Sequence, residues 1–305
     1  MEYSKVLIAL SLSLSGAVIG DSIAIAFPIQ SQPLTVAQAP PADLTPAETE
    51  LQRGTDLIQQ NDVEGALAAF QKAIELDPSL APAHYNLGLT YRRQDQLQEA
   101  ASAFWQATQA DSTFAMAYVN LGAVLLEGNN LDQADEYLNQ AIALEPELGI
   151  AHYNLGLVHQ RQGNMDAAIV SFDLARALSP DLPTPYYQLG AIYLVQNRLT
   201  EAEQAFRGAI ARDSNYADAH YNLGLILYEQ GNFSDALASF QQTVNANANY
   251  ADAYYSAGLT LIQMTEYQRA IEALEYARGL YITQGRNEWA SNAQAHLNQI
   301  QQPTE

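Results

Sequence analysis

Seven glycines, Gly54, Gly88, Gly122, Gly156, Gly190, Gly224 and Gly258, follow one another at intervals of 34 residues. Self-similarity at a fixed period of this length marks a repeat architecture, in which each interval holds one supersecondary unit stacked on the next. With each glycine counted as the eighth position of its repeat, the twentieth is Ala66, Ala100, Ala134, Ala168, Ala202, Ala236 or Ala270. The twenty-fourth is large and apolar (Phe70, Phe104, Leu138, Phe172, Phe206, Phe240, Leu274), and the twenty-seventh is Ala in every repeat but the sixth, which has Thr243. Positions four, seven, eight and eleven, as in His84, Leu87, Gly88 and Tyr91, share one stripe of a helix, and a second stripe follows in residues 97–110. Each repeat therefore reads as a helical hairpin. Small residues at positions eight and twenty let its two helices approach, the large twenty-fourth fills the space between them, and no hairpin buries its apolar face alone.

This pattern of small eighth, small twentieth, large twenty-fourth and small twenty-seventh residues resembles the tetratricopeptide repeat (TPR) family over residues 47–283. The resemblance implies an all-α fold, a right-handed α-solenoid superhelix of seven hairpins whose first helices line a concave groove. The proline that closes a repeat is present as Pro78, Pro146 and Pro180 but replaced by Ser112, Ser214 and Ala248, which leaves the loop geometry there less defined. Residues 287–301 carry no repeat glycine and read as a polar-backed capping helix. The chain thus divides into residues 1–26, 27–45, 46–284 (the repeats) and 285–305 (capping helix and tail).

The first two segments differ from the rest. Lys5 and the uncharged apolar run of residues 6–20 have the make-up of a signal peptide, with a small-residue cleavage site at Ala24-Ile25-Ala26 and a weaker one at Ala37-Gln38-Ala39. Export to the periplasm or another extracytoplasmic space is the expectation. The alternative is an uncleaved N-terminal anchor, the one case in which membrane contact is expected. Residues 27–45 hold four prolines and read as an extended linker, and Thr45-Pro46-Ala47-Glu48 offers a capping box with proline at the first helical position. The sequence has no cysteine, which removes disulfides, cysteine-ligated metals and thiol catalysis. A net charge of -21 argues against nucleic acid as a partner.

His84, His152 and His220 lie in near-identical stretches 68 residues apart, too distant along a solenoid to share an ion, so they are expected to pack with a polar tip at the helix interface. No metal and no cofactor is expected. The same recurrence at two repeats alternates Leu and Ala at the ninth position (Leu89, Ala123, Leu157, Ala191, Leu225) until Leu259 breaks it, which suggests a ligand read in steps of two repeats. On a helical wheel, positions two, five, nine, twelve and thirteen of the first helix turn away from the core stripe, and they are not polar. The partner-binding residues expected on this face are Tyr85, Leu89, Arg92, Leu126, Tyr153, Leu157, Arg161, Tyr187, Tyr221, Leu225, Tyr228 and Tyr255, an exposed aromatic and aliphatic strip. The alternative for the fifth and ninth residues is packing against the neighbouring first helix.

Beside that strip the sixth position forms a polar line, Asn86, Asn120, Asn154 and Asn222 with Gln188 and Ser256. It resembles the asparagine ladder of the TPR superhelix in O-GlcNAc transferase, which implies hydrogen bonding to an extended peptide main chain; a purely structural role is equally open. Arg92, Arg93 and Arg161 either orient a carboxylate or balance Glu127 and Glu229. Chaperone-binding TPR domains use Lys and Asn at the fifth and ninth positions, where this chain has Tyr or Val and Leu or Ala, so chaperone tails are not expected partners. No phosphate loop, HExxH or GxSxG motif occurs, and the repeat accounts for nearly every residue of the ordered region. The expected function is that of an exported, non-catalytic scaffold that captures a protein or peptide segment, with no small-molecule substrate and with self-association left open. The alternative is an accessory subunit of an envelope glycosyltransferase or peptidoglycan hydrolase. A third, a tethered spacer, would have a plain polar groove.

Overall fold

The computed structural model describes residues 44–301, so the expected signal peptide, nearly all of the linker and the last four residues lie outside the described residues. The described chain is helical with no strand, and it divides into two compact units, residues 44–180 and 181–301. The first holds four hairpins: α1 (Pro46–Gln59) with α2 (Val63–Leu76), α3 (Ala81–Arg93) with α4 (Leu97–Ala110), α5 (Ala115–Glu127) with α6 (Leu131–Leu144), and α7 (Gly149–Arg161) with α8 (Met165–Leu178). The second holds three and a final helix: α9 (Pro183–Val195) with α10 (Leu199–Ile210), α11 (Ala217–Glu229) with α12 (Phe233–Ala246), α13 (Ala251–Gln263) with α14 (Tyr267–Thr283), and α15 (Asn287–Gln301).

The first helix starts where the Thr45 hydroxyl accepts from the Glu48 amide and the Glu48 carboxylate accepts from the Thr45 amide, the reciprocal box that its sequence encodes. Every hairpin turns through a left-handed residue at its fifteenth position: Asn61, Asp95, Asn129, Gly163, Asn197, Gly231 and Thr265. Asn, Asp and Gly tolerate this conformation, whereas the β-branched Thr265 at φ 61° is strained. Inside the hairpin the eighth-position glycine is a contact, not a hinge: a Cβ on Gly88 would sit 2.7 Å from the Phe104 ring, and one on Gly190 2.7 Å from that of Phe206. Those Phe rings have no exposed surface, and the alanines at positions twenty and twenty-seven lie flat beside them.

The three histidines behave as expected. Nε2 of His84 lies 2.9 Å from the Pro78 carbonyl, that of His152 2.9 Å from Pro146 and that of His220 3.0 Å from Ser214. A carbonyl only accepts, so Nε2 carries the proton and each ring ties its helix to the loop before it.

The second unit ends in an arrangement outside the repeat register. Asp252 on α13, 4% exposed, accepts from both guanidinium nitrogens of Arg286 (2.7 and 2.9 Å) and from the Tyr281 hydroxyl at 2.8 Å. The Arg286 guanidinium lies over the Tyr281 ring, 4.7 Å from its centre. Burial, and then the neighbouring Asp252 charge, push the Tyr281 phenol well above its ordinary pKa. Ala290, Ala293 and Leu297 of α15 close the apolar end of this unit.

Candidate protein-binding face

Several first helices, α3, α5 and α7 among them, are buried on nearly every side. Ten of the thirteen residues of α3 are buried, ten of thirteen in α5 and ten of thirteen in α7, against five of fourteen in α4 and three of fourteen in α6. A helix apolar around its whole circumference is one that needs cover on both faces, and its second helix supplies only one.

The expected exposed strip does not exist as such. Tyr85, Tyr153, Tyr187, Tyr221 and Tyr255 are at most 3% exposed, and Leu89, Leu126, Leu157, Leu225, Tyr228 and Arg92 are also buried; Arg161 is half-buried. The reason is angular. At about 100° per residue, position five lies only about 60° from the eighth-position glycine and position twelve about 40° from it, so both are shoulders of the core stripe, not its opposite face. Four fifth-position rings rest on the Phe of their own hairpin: Tyr85 on Phe104, Tyr153 on Phe172 and Tyr187 on Phe206 at 5.7 Å, and Tyr221 on Phe240 at 5.8 Å. The residue just before the next first helix covers its other side: Phe114 at 4.9 Å from Tyr85, Tyr216 at 5.1 Å from Tyr187 and Tyr250 at 5.0 Å from Tyr221. These tyrosines mortar hairpin to hairpin.

The sixth-position line is likewise buried at Asn86, Asn120 and Asn154 and half-buried at Asn222, and part of it is used inside the stack. Asn120 Nδ2 donates to the Tyr85 hydroxyl at 3.2 Å and to the Met116 carbonyl at 3.0 Å, while its Oδ1 accepts from Arg92 at 3.5 Å. Asn222 Nδ2 donates to the Tyr187 hydroxyl at 3.5 Å. The amide of one hairpin thus reads the tyrosine of the hairpin before it. Burial pushes the Tyr85 phenol up to about 12, against the opposing effects of the Asn120 hydrogen bond and the Arg92 charge.

Asn154 differs. It has no exposed surface, and neither Oδ1 nor Nδ2 has a hydrogen-bond partner among the described residues. The preceding hairpin explains this: where Tyr85 and Arg92 serve Asn120, the same two positions before Asn154 are Val119 and Leu126. Nearby, Arg92 pairs with Glu127 and Arg161 donates to the Leu126 carbonyl at 2.8 Å, yet the Nε–H of both arginines is buried without a partner among the described residues. Burial lowers the Arg161 pKa and the Glu127 charge works against that shift. Arg93 is exposed to solvent. In the second unit the twelfth-position counterparts are Leu194, Tyr228 and Ile262, so the charged cluster belongs to the first unit.

No group of His, Asp or Glu that could hold a metal occurs among the described residues, and none of the described helices is long and apolar enough to cross a membrane. The Asp252–Arg286 lock escaped sequence reasoning because Arg286 has no place in the repeat; the unserved amide at Asn154 carried a signal, the Val119 that interrupts the fifth-position tyrosines.

Comparison with known proteins places this geometry. Profiles of the tetratricopeptide repeat match residues 54–95, 81–114, 119–183, 187–254 and 221–285. No curated protein matches the chain. Among solved structures, MamA is 27% identical over 54% of this chain and 96% of its own, with a TM-score of 0.50. YrrB, described as a TPR protein with an unusual peptide-binding site, is 24% identical over 64% of this chain and 99% of its own, with a TM-score of 0.54. PilW, a widely conserved type IV pilus biogenesis factor, is 22% identical over 69% of this chain and 97% of its own, with a TM-score of 0.61. The latter two resemblances show the fold alone.

Proposed function

The chain belongs to the tetratricopeptide-repeat family, a family of protein-interaction modules, and from that membership we propose that it is a non-catalytic scaffold that captures an extended segment of a protein partner on the first-helix face turned away from the second helices. The observation that carries this reading is the make-up of α3, α5 and α7, which are apolar well beyond the side that their own second helix covers. The shoulder tyrosines then act as rigid mortar beneath the face, and of the expected groove residues it is the half-buried Arg161 in the first unit and the half-buried Asn222 in the second that keep exposed surface for a partner. The apolar run of residues 6–20 supports export, which puts the partner in the envelope.

A photoreactive residue placed at the half-buried Arg161 of α7, and in a separate variant at the solvent-exposed Leu174 of α8, tests this in the cells that make the protein. The reading expects a discrete adduct from position 161 and none from 174; adducts from 174 alone overturn it. Turnover of any envelope substrate by the purified chain would contradict the absence of catalysis.

A further inference from the structure

The seventh hairpin departs from those before it at one apolar position. Leu87, Leu121, Leu155, Leu189 and Leu223 hold the seventh place of repeats two to six, and Ala257 stands there in repeat seven. Ala257 lines a pocket of about 280 Å3 that opens between the second helices α12 and α14, over α13. Pockets that enclose a whole small molecule measure about 300–1,000 Å3, so this one suits a single long side chain. Leu237, Val244 and Leu261 make its lining apolar, and the rings of Tyr254 and Tyr276, 4.4 Å apart, belong to its wall. Tyr276 is 51% exposed, so the pocket meets solvent directly. Two charged side chains line it: Arg269, which is paired with Glu266 on the turn before it, and Glu272, which is exposed and makes no ion pair among the described residues. The uncompensated charge of the pocket is therefore negative, and a chain of net charge -21 adds a longer-range field of the same sign.

Elsewhere the same fold shows what such a tyrosine takes. Tyr186 holds in repeat five the place of Tyr254, and there the Arg212 guanidinium lies 3.8 Å from the ring centre. Arg198 lies over Tyr193 in the same way, at 4.3 Å. In repeat seven the place of Arg212 is taken by Leu280, which brings no charge to the aromatic wall. The pocket one repeat earlier supplies the contrast: His220 replaces Tyr254, Ala238 replaces Glu272 and Arg207 replaces Gln241, so it has a cation and neither tyrosine nor carboxylate.

We propose that the pocket between α12 and α14 seats an arginine side chain of a basic protein partner, with its guanidinium against the Tyr276 ring, the Glu272 carboxylate as acceptor and its methylenes on Leu237 and Ala257. A guanidinium is planar, so it lies flat on an aromatic ring while its edge donates two hydrogen bonds to a carboxylate, a combination that the compact ammonium of lysine does not offer. Its three-carbon stem is apolar and gains from the aliphatic lining. This is a second contact, separate from the first-helix face proposed above, and it goes beyond that reading without depending on it.

The test is an NMR titration of the full chain, labelled with nitrogen-15, following the backbone amides of α12 and α14. The probes are a short blocked peptide of alanine and serine with one central arginine, the same peptide with lysine, and the same peptide with citrulline, which keeps the shape of arginine and lacks its charge. The arginine peptide is expected to move the signals around Leu237 to Val244 and Glu272 to Tyr276, and to bind about tenfold more tightly than the citrulline one and about threefold more tightly than the lysine one. Ala257→Leu, which restores the residue of the five preceding repeats and fills the pocket, is expected to abolish these shifts, and Glu272→Gln to weaken binding about tenfold. Glu275→Gln, an exposed carboxylate of the same helix outside the pocket, is expected to leave binding within about twofold. Equal binding of arginine and citrulline peptides, equal binding of arginine and lysine peptides, or shifts that persist in Ala257→Leu overturn the proposal. An equal loss from Glu272→Gln and Glu275→Gln reduces the effect to general charge attraction and overturns it too, as do shifts of the same signals on raising protein concentration alone, which identify a second copy as the occupant. None of these outcomes touches the first-helix reading, which the adducts from position 161 test by themselves.

Discussion

Residues 44–180 and 181–301 are built on one hairpin, yet they use the shoulder positions of their first helices differently. In the first unit the twelfth and thirteenth positions bring together Arg92, Glu127 and Arg161, with Asn120 tied into the same network. In the second the twelfth positions are Leu194, Tyr228 and Ile262, and the polar chemistry is concentrated at the end, where Asp252, Tyr281 and Arg286 lock α13 to α14 and the loop beyond it. The difference teaches that the hairpin interior and the shoulder are separable. Glycine, alanine and a large apolar residue at positions eight, twenty and twenty-four hold any repeat together, while the shoulder carries charged side chains in one unit and apolar packing in the other.

The separation predicts equal damage where the units are alike. Phe104→Ala and Phe206→Ala each remove a ring with no exposed surface, and each is expected to cost about 3–5 kcal/mol in urea denaturation. A much smaller cost at Phe206 would break the equivalence. Where the units differ, the effects should too. Asp252→Ala leaves the Arg286 charge and the Tyr281 hydroxyl without their shared acceptor and is expected to cost the second unit about 3 kcal/mol, with hydrogen exchange accelerated in α13 to α15 and unchanged in α1 to α8.

Smaller changes separate one rung from another. Asn154→Leu removes an unserved buried amide and should stabilise by about 1 kcal/mol, whereas Asn120→Leu breaks bonds to Tyr85 and Arg92 and should destabilise by about as much. Opposite signs in chemical denaturation sharpen the comparison, and equal signs remove it. Thr265→Gly relieves a left-handed β-branched residue and should raise stability by about 1 kcal/mol, an effect absent from Gly231→Ala, which should lower it. The smallest effect is electrostatic. The Tyr85 phenol is neutral in the fold up to about pH 12, so its contribution is complete below the ordinary phenol pKa of about 10 and is lost as pH rises from there to about 12. Ultraviolet titration of Tyr85→Phe against the parent chain should show one late-ionising phenol fewer.

Much of this fold was legible in the residues alone. The 34-residue glycine ruler gave hairpins, the partners of each glycine and the histidine tips, because those contacts recur within one repeat and depend only on its internal spacing. The candidate face was legible in composition and not in exposure. A helical wheel places Tyr85 or Tyr187 by angle but cannot show Phe114 or Tyr216, which close the same repeat in the loop before the following helix and cover the ring from outside its hairpin. The same limit hid the Tyr85–Asn120 rung, a contact 35 residues apart in the chain, and with it the meaning of Val119, whose lack of a hydroxyl leaves Asn154 unserved. Arg286 stood outside every register, so nothing in the repeat pointed to Asp252 as its partner.

The central claim is that in the first unit recognition belongs to the first helices and structure to the second. Hydrogen exchange of the full chain, alone and with the partner recovered through cross-linking at position 161, measures this most directly. The account predicts added protection in α3, α5 and α7, strongest from Asn154 to Arg161, with α4, α6 and α8 unchanged. Protection confined to α4, α6 and α8 would contradict it.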